Sequence, residues 1–439
     1  MTNPSDHSDT EKQRNRALEA TLALVTRSGY RATTLAGVAR ESAVSESFIL
    51  WHFRNKDRLF AEALDHSYRE RRLDFPSWSE VIAPGHRSRA LRDNLDGLSS
   101  PTTKGTEYRT FGLMLGLVDH PIEPTARQRF IEYRGLTLAA ITGWWNRALR
   151  IEDGEDRDTV ARLLAEITLA AVDGRFVNAV ETEFDPVTTS DIIADGLEAL
   201  ATLLEEDPAV ASTMPLSARQ SVETLPAPLP SSADPDSTRV QILRAAERVA
   251  AGVGIDATSI ARICKESGSS PTSIYWFFRD RNAIFESLIG FLHDDWNATH
   301  RPHPSHVDAR WVNDPLIAGM AHMLWRHEGA TNLIRISMLL LLYGGDAHIA
   351  ARDECLRVRA LMREEWASTY SRAVPDLALA ANERLLNCVA LVHASISDGL
   401  LIAQQLNDHS DSMTSYTSAI GEFMRAAIRK QLIRDSSKP

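Results

Sequence analysis

Apolar residues recur every three or four positions along most of the 439-residue chain, and no alternating β-branched run is long enough to argue for a sheet. The pattern predicts helices. Leu18, Leu22 and Val25 mark a first helix, and Gly29 ends it, since glycine takes the left-handed conformation of a helix terminus without a Cβ penalty. Thr33 and Thr34 are hydroxyl N-cap candidates for a short second helix with Leu35, Val38 and Ala39 inward. A turn at Ala43-Val44 follows. Ser45 caps a third helix that packs inward through Ile49 and Phe53.

The same text returns 225 residues later, and residues 29–53 align with 254–278 without a gap. Ile242, Ala246 and Val249 precede Gly254, and Thr258-Ser259 precede Ile260, Ile263 and Cys264. The turn is Gly268-Ser269, and Ser270 caps a helix carrying Ile274 and Phe278. Pro271 takes the first helical position, where its missing N–H costs nothing. Each copy reads as a helix-turn-helix. The offset persists downstream: Phe60 matches Phe285, Arg134 matches Arg359, Arg147-Ala148 matches Arg372-Ala373, Asp173-Gly174 matches Asp398-Gly399, and Gly196 matches Gly421. One fixed offset argues for duplication of a whole module.

This divides the chain into a disordered polar tail at 1–10, a head at 11–60, a helical body at 61–206, a linker at 207–236, a second head at 237–285 and a second body at 286–434. Each module is expected to hold nine to ten helices. Those near 156–181 and 187–205 close the first, with 379–406 and 414–433 as counterparts. Prolines 208, 215, 226, 228, 230 and 235 make the linker semi-extended and non-helical.

The net charge of −11 looks wrong for a chain that meets DNA, but its distribution differs from its sum. Residues 11–60 carry +4 and residues 237–285 carry +3, so the remainder holds −18. Two basic islands in an acidic body suit a protein that touches phosphates at two small heads. On the outward face of the third helix stand Glu46, Ser47, Phe48, Leu50, Trp51 and His52. Its counterpart shows Pro271, Thr272, Ser273, Tyr275, Trp276 and Phe277. Small polar residues near the start of such a helix suit base edges. Arg54, Lys56 and Arg58, and then Arg279 and Arg281, suit the phosphate backbone. Trp51, Trp276 and Leu50 either reach DNA or pack the motif.

The repeated Gly-x-x-Ala-Thr-(Thr/Ser)-(Leu/Ile) and the ending Ile-x-Trp-x-Phe-Arg-x-(Lys/Arg) resemble the TetR family of bacterial regulators over about 47 residues in each copy. The resemblance implies an all-α fold of two TetR-like modules. Each would have an N-terminal three-helix helix-turn-helix domain and a C-terminal helical ligand-binding and dimerisation domain, packed as an intramolecular pseudo-dimer. It also implies a double-stranded DNA operator, an unknown small-molecule effector, repression, and a place in the bacterial cytoplasm on the nucleoid. The DNA-binding residues expected are Thr33, Thr34, Ser45, Glu46, Ser47, Phe48, Leu50, Trp51, His52, Arg54 and Lys56. In the second copy they are Thr258, Ser259, Ser270, Pro271, Thr272, Ser273, Tyr275, Trp276, Arg279 and Arg281. Copy one departs from the pattern at Leu50, Ala43 and Glu46, and copy two at Pro271 and Phe277, so the halves need not read the same bases.

Phe111, Met114, Tyr133, Trp144 and Trp145 could line an effector pocket in the first body, as could Trp325, Met338, Tyr343 and Trp366 in the second; plain core is the other reading. His300, His303 and His306 invite a metal, but they lie in a loop without cysteine support, so no metal or cofactor is expected. No nucleophile elbow, HExxH or phosphate loop suggests an enzyme. Cys264, Cys355 and Cys388 have no paired spacing and fit a reducing compartment. The polar first thirty residues hold no secretory signal, and the apolar run from Ile336 to Tyr343 is too short for a bilayer, so no membrane partner is expected. The chain would act as a monomeric pseudo-dimer or a dimer of pseudo-dimers. The alternative is a ligand-binding or protein-interaction module whose helix-turn-helix copies no longer bind DNA.

Overall fold

The computed structural model describes residues 4–74, 78–80, 82, 87–99, 106–119, 124–179, 186–212, 231, 233–300, 315–343, 348–374, 383–406 and 413–436. Every regular element among them is helical. The first module holds α1 (Pro4–Ser28), α2 (Leu35–Ser42), α3 (Glu46–Phe53), α4 (Lys56–Asp74), α5 (Arg87–Ser99), α6 (Thr106–Gly116), α7 (Thr125–Ala148), α8 (Glu155–Asn178) and α9 (Pro186–Glu206). The second holds α10 (Thr238–Val253), α11 (Ile260–Ser267), α12 (Pro271–Phe277), α13 (Arg281–Thr299), α14 (Pro315–Gly329), α15 (Thr331–Leu342), α16 (Ile349–Ala373), α17 (Glu383–Leu406) and α18 (Thr417–Ser436).

Two expectations are corrected. α1 starts at Pro4, so residues 4–10 of the expected disordered tail are helical; the sequence runs on through Glu11, Lys12, Gln13 and Arg14, all good helix formers. The linker 207–236 begins with a helical turn at 209–212 that buries Ala211, because Pro208 is tolerated at a helix start. Residues 213–230 lie outside the described set.

Each head builds its own small core. Leu18, Val25, Val38, Ile49, Phe53 and Phe60 are buried in the first; Ile242, Ala246, Ile263, Ile274, Phe278 and Phe285 fill the second. The bodies follow, with α4 on α7, α7 on α8 and α5 on α9, repeated as α13 on α16, α16 on α17 and α14 on α18. α17 is long and apolar enough to cross a membrane by length and composition alone, yet 89% of that stretch is buried, chiefly against α8.

α8 and α17 cross at the repeated Asp-Gly. A Cβ on Gly174 would lie 2.6 Å from the Ser395 carbonyl carbon, and one on Gly399 would lie 2.5 Å from Ala170 Cα. Ala170 and Ser395 are themselves 225 apart, so the two approaches are reciprocal. The neighbouring carboxylates are held by buried arginines. Asp173 accepts Arg109 at 2.8 Å and Arg134 at 3.1 Å. Asp398 accepts Arg359, and Asn178 Nδ2 at 3.1 Å from the other module. Burial alone would raise Asp398, but Arg359 beside it holds the carboxyl below its usual range.

Candidate DNA-binding interface

Four caps set the heads. Thr34 Oγ1 accepts the Gly37 N–H at 3.0 Å and Ser45 Oγ the Phe48 N–H at 3.2 Å. Ser259 accepts the Arg262 N–H at 3.3 Å and Ser270 the Ser273 N–H at 3.0 Å. Each cap satisfies one orphan donor at a helix start and fixes where α2, α3, α11 and α12 begin. The turns between them require left-handed backbone: Gly268 has φ +72°, and Ala43 occupies the matching conformation at φ +53° despite its Cβ.

With the caps in place, Ile49 and Ile274 face the core and the opposite side of each third helix faces out. Glu46, Ser47, Leu50, Trp51 and Arg54 are exposed in the first head; Pro271, Thr272, Tyr275, Trp276, Phe277 and Arg279 are exposed in the second. Trp51 is 77% exposed and Trp276 84%, which removes the packing reading for both. Phe48, His52 and Ser273 are half-buried. The His52 ring lies 4.1 Å from Phe48 and 4.5 Å from Trp51, and partial burial and Arg14 lower its pKa.

Four residues expected to meet DNA have their side chains engaged within the protein. Thr33 and Thr258 are buried, with hydroxyls bonded to the Gly29 carbonyl at 2.9 Å and the Gly254 carbonyl at 2.7 Å. Lys56 Nζ donates to the Arg31 carbonyl at 3.2 Å and lies 4.8 Å over the Tyr30 ring, and burial pushes its pKa down. Arg281 does the equivalent work in the second head, at 3.4 Å from the Asp256 and Thr258 carbonyls. These two cations brace the loops before α2 and α11. Of the flanking arginines, Arg54 and Arg279 stay outward, the latter beside Asp280 at 3.0 Å; Arg58 pairs with Glu62 at 2.9 Å.

The aromatic residues of the bodies are mainly core. Phe111, Trp144 and Trp145 are fully buried, as is Met338; Met114, Tyr343 and Trp366 are nearly so. Tyr133 stacks on Tyr68 at 3.8 Å and donates to Asp65 at 2.6 Å. Trp325 is half-buried beside His300 and His322. The bodies differ at one place. In the first, Trp145 Nε1 donates to Thr168 Oγ1 at 3.1 Å. The equivalent positions in the second are Tyr370 and His393, hydrogen-bonded at 3.1 Å with Trp366 4.9 Å from the imidazole. Around them His393 Nε2, His327 Nδ1 and Ser397 Oγ are buried without a hydrogen-bond partner. His327 Nε2 faces Asp398 Oδ1 at 3.4 Å. Burial pushes His393 down to about 3, so its ring is neutral. His300 ends α13, while His303 and His306 lie outside the described residues. All three cysteines are free thiols.

Sequence reasoning did not foresee that the heads touch. Asp256 Oδ2 accepts the Arg31 N–H at 2.7 Å and the Ala32 N–H at 3.2 Å. The one mark in the sequence was an acid at 256 where the first copy has Arg31, and its carboxylate meets backbone N–H groups rather than that side chain.

The comparison with curated proteins finds no match. Among solved structures, the chain is similar to NalD, the secondary repressor of the MexAB-OprM multidrug efflux pump in Pseudomonas aeruginosa, at 22% identity over 43% of this chain and 95% of that one, with a TM-score of 0.32. The model of the bacterial regulatory proteins of the tetR family matches twice, at residues 17–63 and 242–288. Both matches fall on the capped three-helix heads at the same offset, so the chain carries a tetR-family helix-turn-helix domain twice.

Proposed function

We propose that one chain regulates transcription by gripping an asymmetric operator with both heads as an intramolecular pseudo-dimer, and that a small-molecule effector releases it. The observation that carries this reading is a pair of heads with equal build and unequal faces. Both recognition helices are capped by serine and packed through isoleucine, so both present the same side. One side offers Glu46, Ser47, Leu50 and Trp51, the other Pro271, Thr272, Tyr275 and Trp276. Unequal side chains favour unequal half-sites. Half-sites one turn apart are roughly 34 Å apart, so a few Å of misplacement loses the second head's contacts.

Effector binding is assigned to the second body. Buried polar atoms normally have partners, and three of them lacking one around Trp366 and Tyr370, His393 Nε2, His327 Nδ1 and Ser397 Oγ, support a polar, hydrogen-bonding effector there. At the counterpart in the first body Trp145 Nε1 and Thr168 satisfy each other. Repression is the sign that suits release by an effector. Selection from random DNA should return two different half-sites, and footprinting should protect both. A perfect palindrome would overturn the asymmetry. The exposed run Tyr275-Trp276-Phe277 also suits a protein partner; absence of any gel shift with upstream DNA would favour that second reading.

A further inference from the structure

The loops entering α2 and α11 lie against each other, and one carboxylate ties them. Asp256, before α11, accepts two successive backbone N–H groups from Arg31 and Ala32, before α2. Its own N–H donates to the Tyr343 hydroxyl at the end of α15, at 3.3 Å. Gly29 makes room: a Cβ there would lie 2.6 Å from both Asp256 Cγ and Tyr343 Oη, and its φ is +87°. On the other side Gly254 faces Val118, whose equivalent in the repeat is Tyr343. Beneath the loops, buried Arg335 donates to the Leu117 carbonyl at 3.0 Å and the Ala251 carbonyl at 3.2 Å, and pairs with Asp119 at 3.2 Å. The void left at this joint is about 10 Å³ and is lined by Tyr30, Val118, Gly254, Asp256 and Tyr343. That is too small for anything beyond one water molecule, so the joint is filled.

Each loop is also fixed to its own head. Lys56 from α4 holds the Arg31 carbonyl, and Arg281 from α13 holds the Asp256 carbonyl. A shift of either loop therefore carries its recognition helix along. Hydrogen bonds to a carboxylate are roughly twice as strong as neutral ones, and these two fasten one head to the other directly rather than through the bodies. We propose that Asp256 is a positioning residue that holds the two heads at one separation, and thereby makes the chain select operators of one half-site spacing. The second half of this rests on the DNA-binding reading above.

The test uses the full-length chain with Cys264→Ser and nitroxide labels at Arg40→Cys and Lys265→Cys, which are exposed and equivalent positions on α2 and α11. The parent should give one narrow distance distribution without DNA. Asp256→Ala should broaden it at least about two-fold, since a head freed from its tie samples a range of separations. Asp256→Asn preserves shape and should fall between, which keeps the test readable where the alanine variant folds poorly. An unchanged width in both variants overturns the tie. With DNA, moving one half-site by two base pairs should cost the parent roughly tenfold or more in affinity and the alanine variant about threefold or less, because linked binding is lost when geometry forbids the second contact. Affinity for a single half-site should stay the same. A broadened distribution with an unchanged spacing preference overturns the positioning role. If no DNA binds at any spacing, the operator half falls, while the label distances still decide whether Asp256 ties the heads.

Discussion

Replacing Gly399 by alanine should destabilise the protein where the same change elsewhere stabilises it. A Gly→Ala change inside a helix ordinarily gains about 0.8–1 kcal/mol from reduced backbone entropy. At Gly399 the new methyl would lie 2.5 Å from Ala170 Cα of the crossing helix. Carbon atoms sit best about 3.5 Å apart or more, so α8 and α17 would have to part by about 1 Å. The obstacle is backbone on both sides, so no side chain can swing away. Overpacking of this kind costs about 1–3 kcal/mol, and more where nothing yields. The clash therefore outweighs the propensity gain, and a net loss of about 2 kcal/mol is expected. Gly135, exposed on α7 with nothing within 4 Å of its Cβ position, is the control. Urea unfolding followed by far-UV circular dichroism should show a lower midpoint for Gly399→Ala and a slightly higher one for Gly135→Ala. Gly174→Ala should resemble Gly399→Ala, and the double variant should fall short of additivity because both open the same crossing. Equal midpoints for Gly399→Ala and Gly135→Ala would refute the close crossing.

Ala43→Gly should stabilise the first head by about 1 kcal/mol, since its φ of +53° is costly for a residue with a Cβ; thermal melting checks this. Trp276→Ala should leave stability within about 0.5 kcal/mol, because the ring is exposed, while weakening DNA binding in a titration. Arg279→Ala should reduce the slope of log K against log[salt] by about 0.9, whereas Arg281→Ala should lower the melting temperature first, because Arg281 braces a loop. Acid should weaken the fold early. His393 and His322 titrate near 3 and 4 when folded against 6.5 when free, so the unfolded chain binds the extra protons as pH falls below 6.5. Each adds about 1.4 kcal/mol of lost stability per pH unit down to its folded value. His393→Gln should flatten a stability-versus-pH curve between pH 6 and about 4.

The helical architecture and the caps were legible because they depend on local rules. Apolar spacing gave α8 and α9 within a few residues, and hydroxyl-then-turn spacing gave Ser45 and Ser270. The direction of individual side chains was not legible. Lys56 and Arg281 read as phosphate contacts because they are basic and follow the recognition helix, yet each turns back to a carbonyl 25 residues upstream. Thr33 and Thr34 look alike as caps, and only the backbone path shows that Thr34 caps while Thr33 serves Gly29. The head-to-head tie depends on how the modules lie, which no local pattern encodes. The orphaned polar atoms around His393 are likewise a product of packing, since a histidine in an apolar helix gives no hint of its neighbours.

The unlike residues at positions 31 and 256 also bear on how such a joint arises. In a chain that paired with its own copy, a substitution at this position would enter twice, and an aspartate would face an aspartate. Once the gene has doubled, one substitution alters one side alone, and a single step from like to unlike residues can create the tie. The same freedom has a lasting effect. A joint built from unlike partners no longer suits exchange with a sister chain through two identical first modules, so divergence at one loop protects the pairing of both.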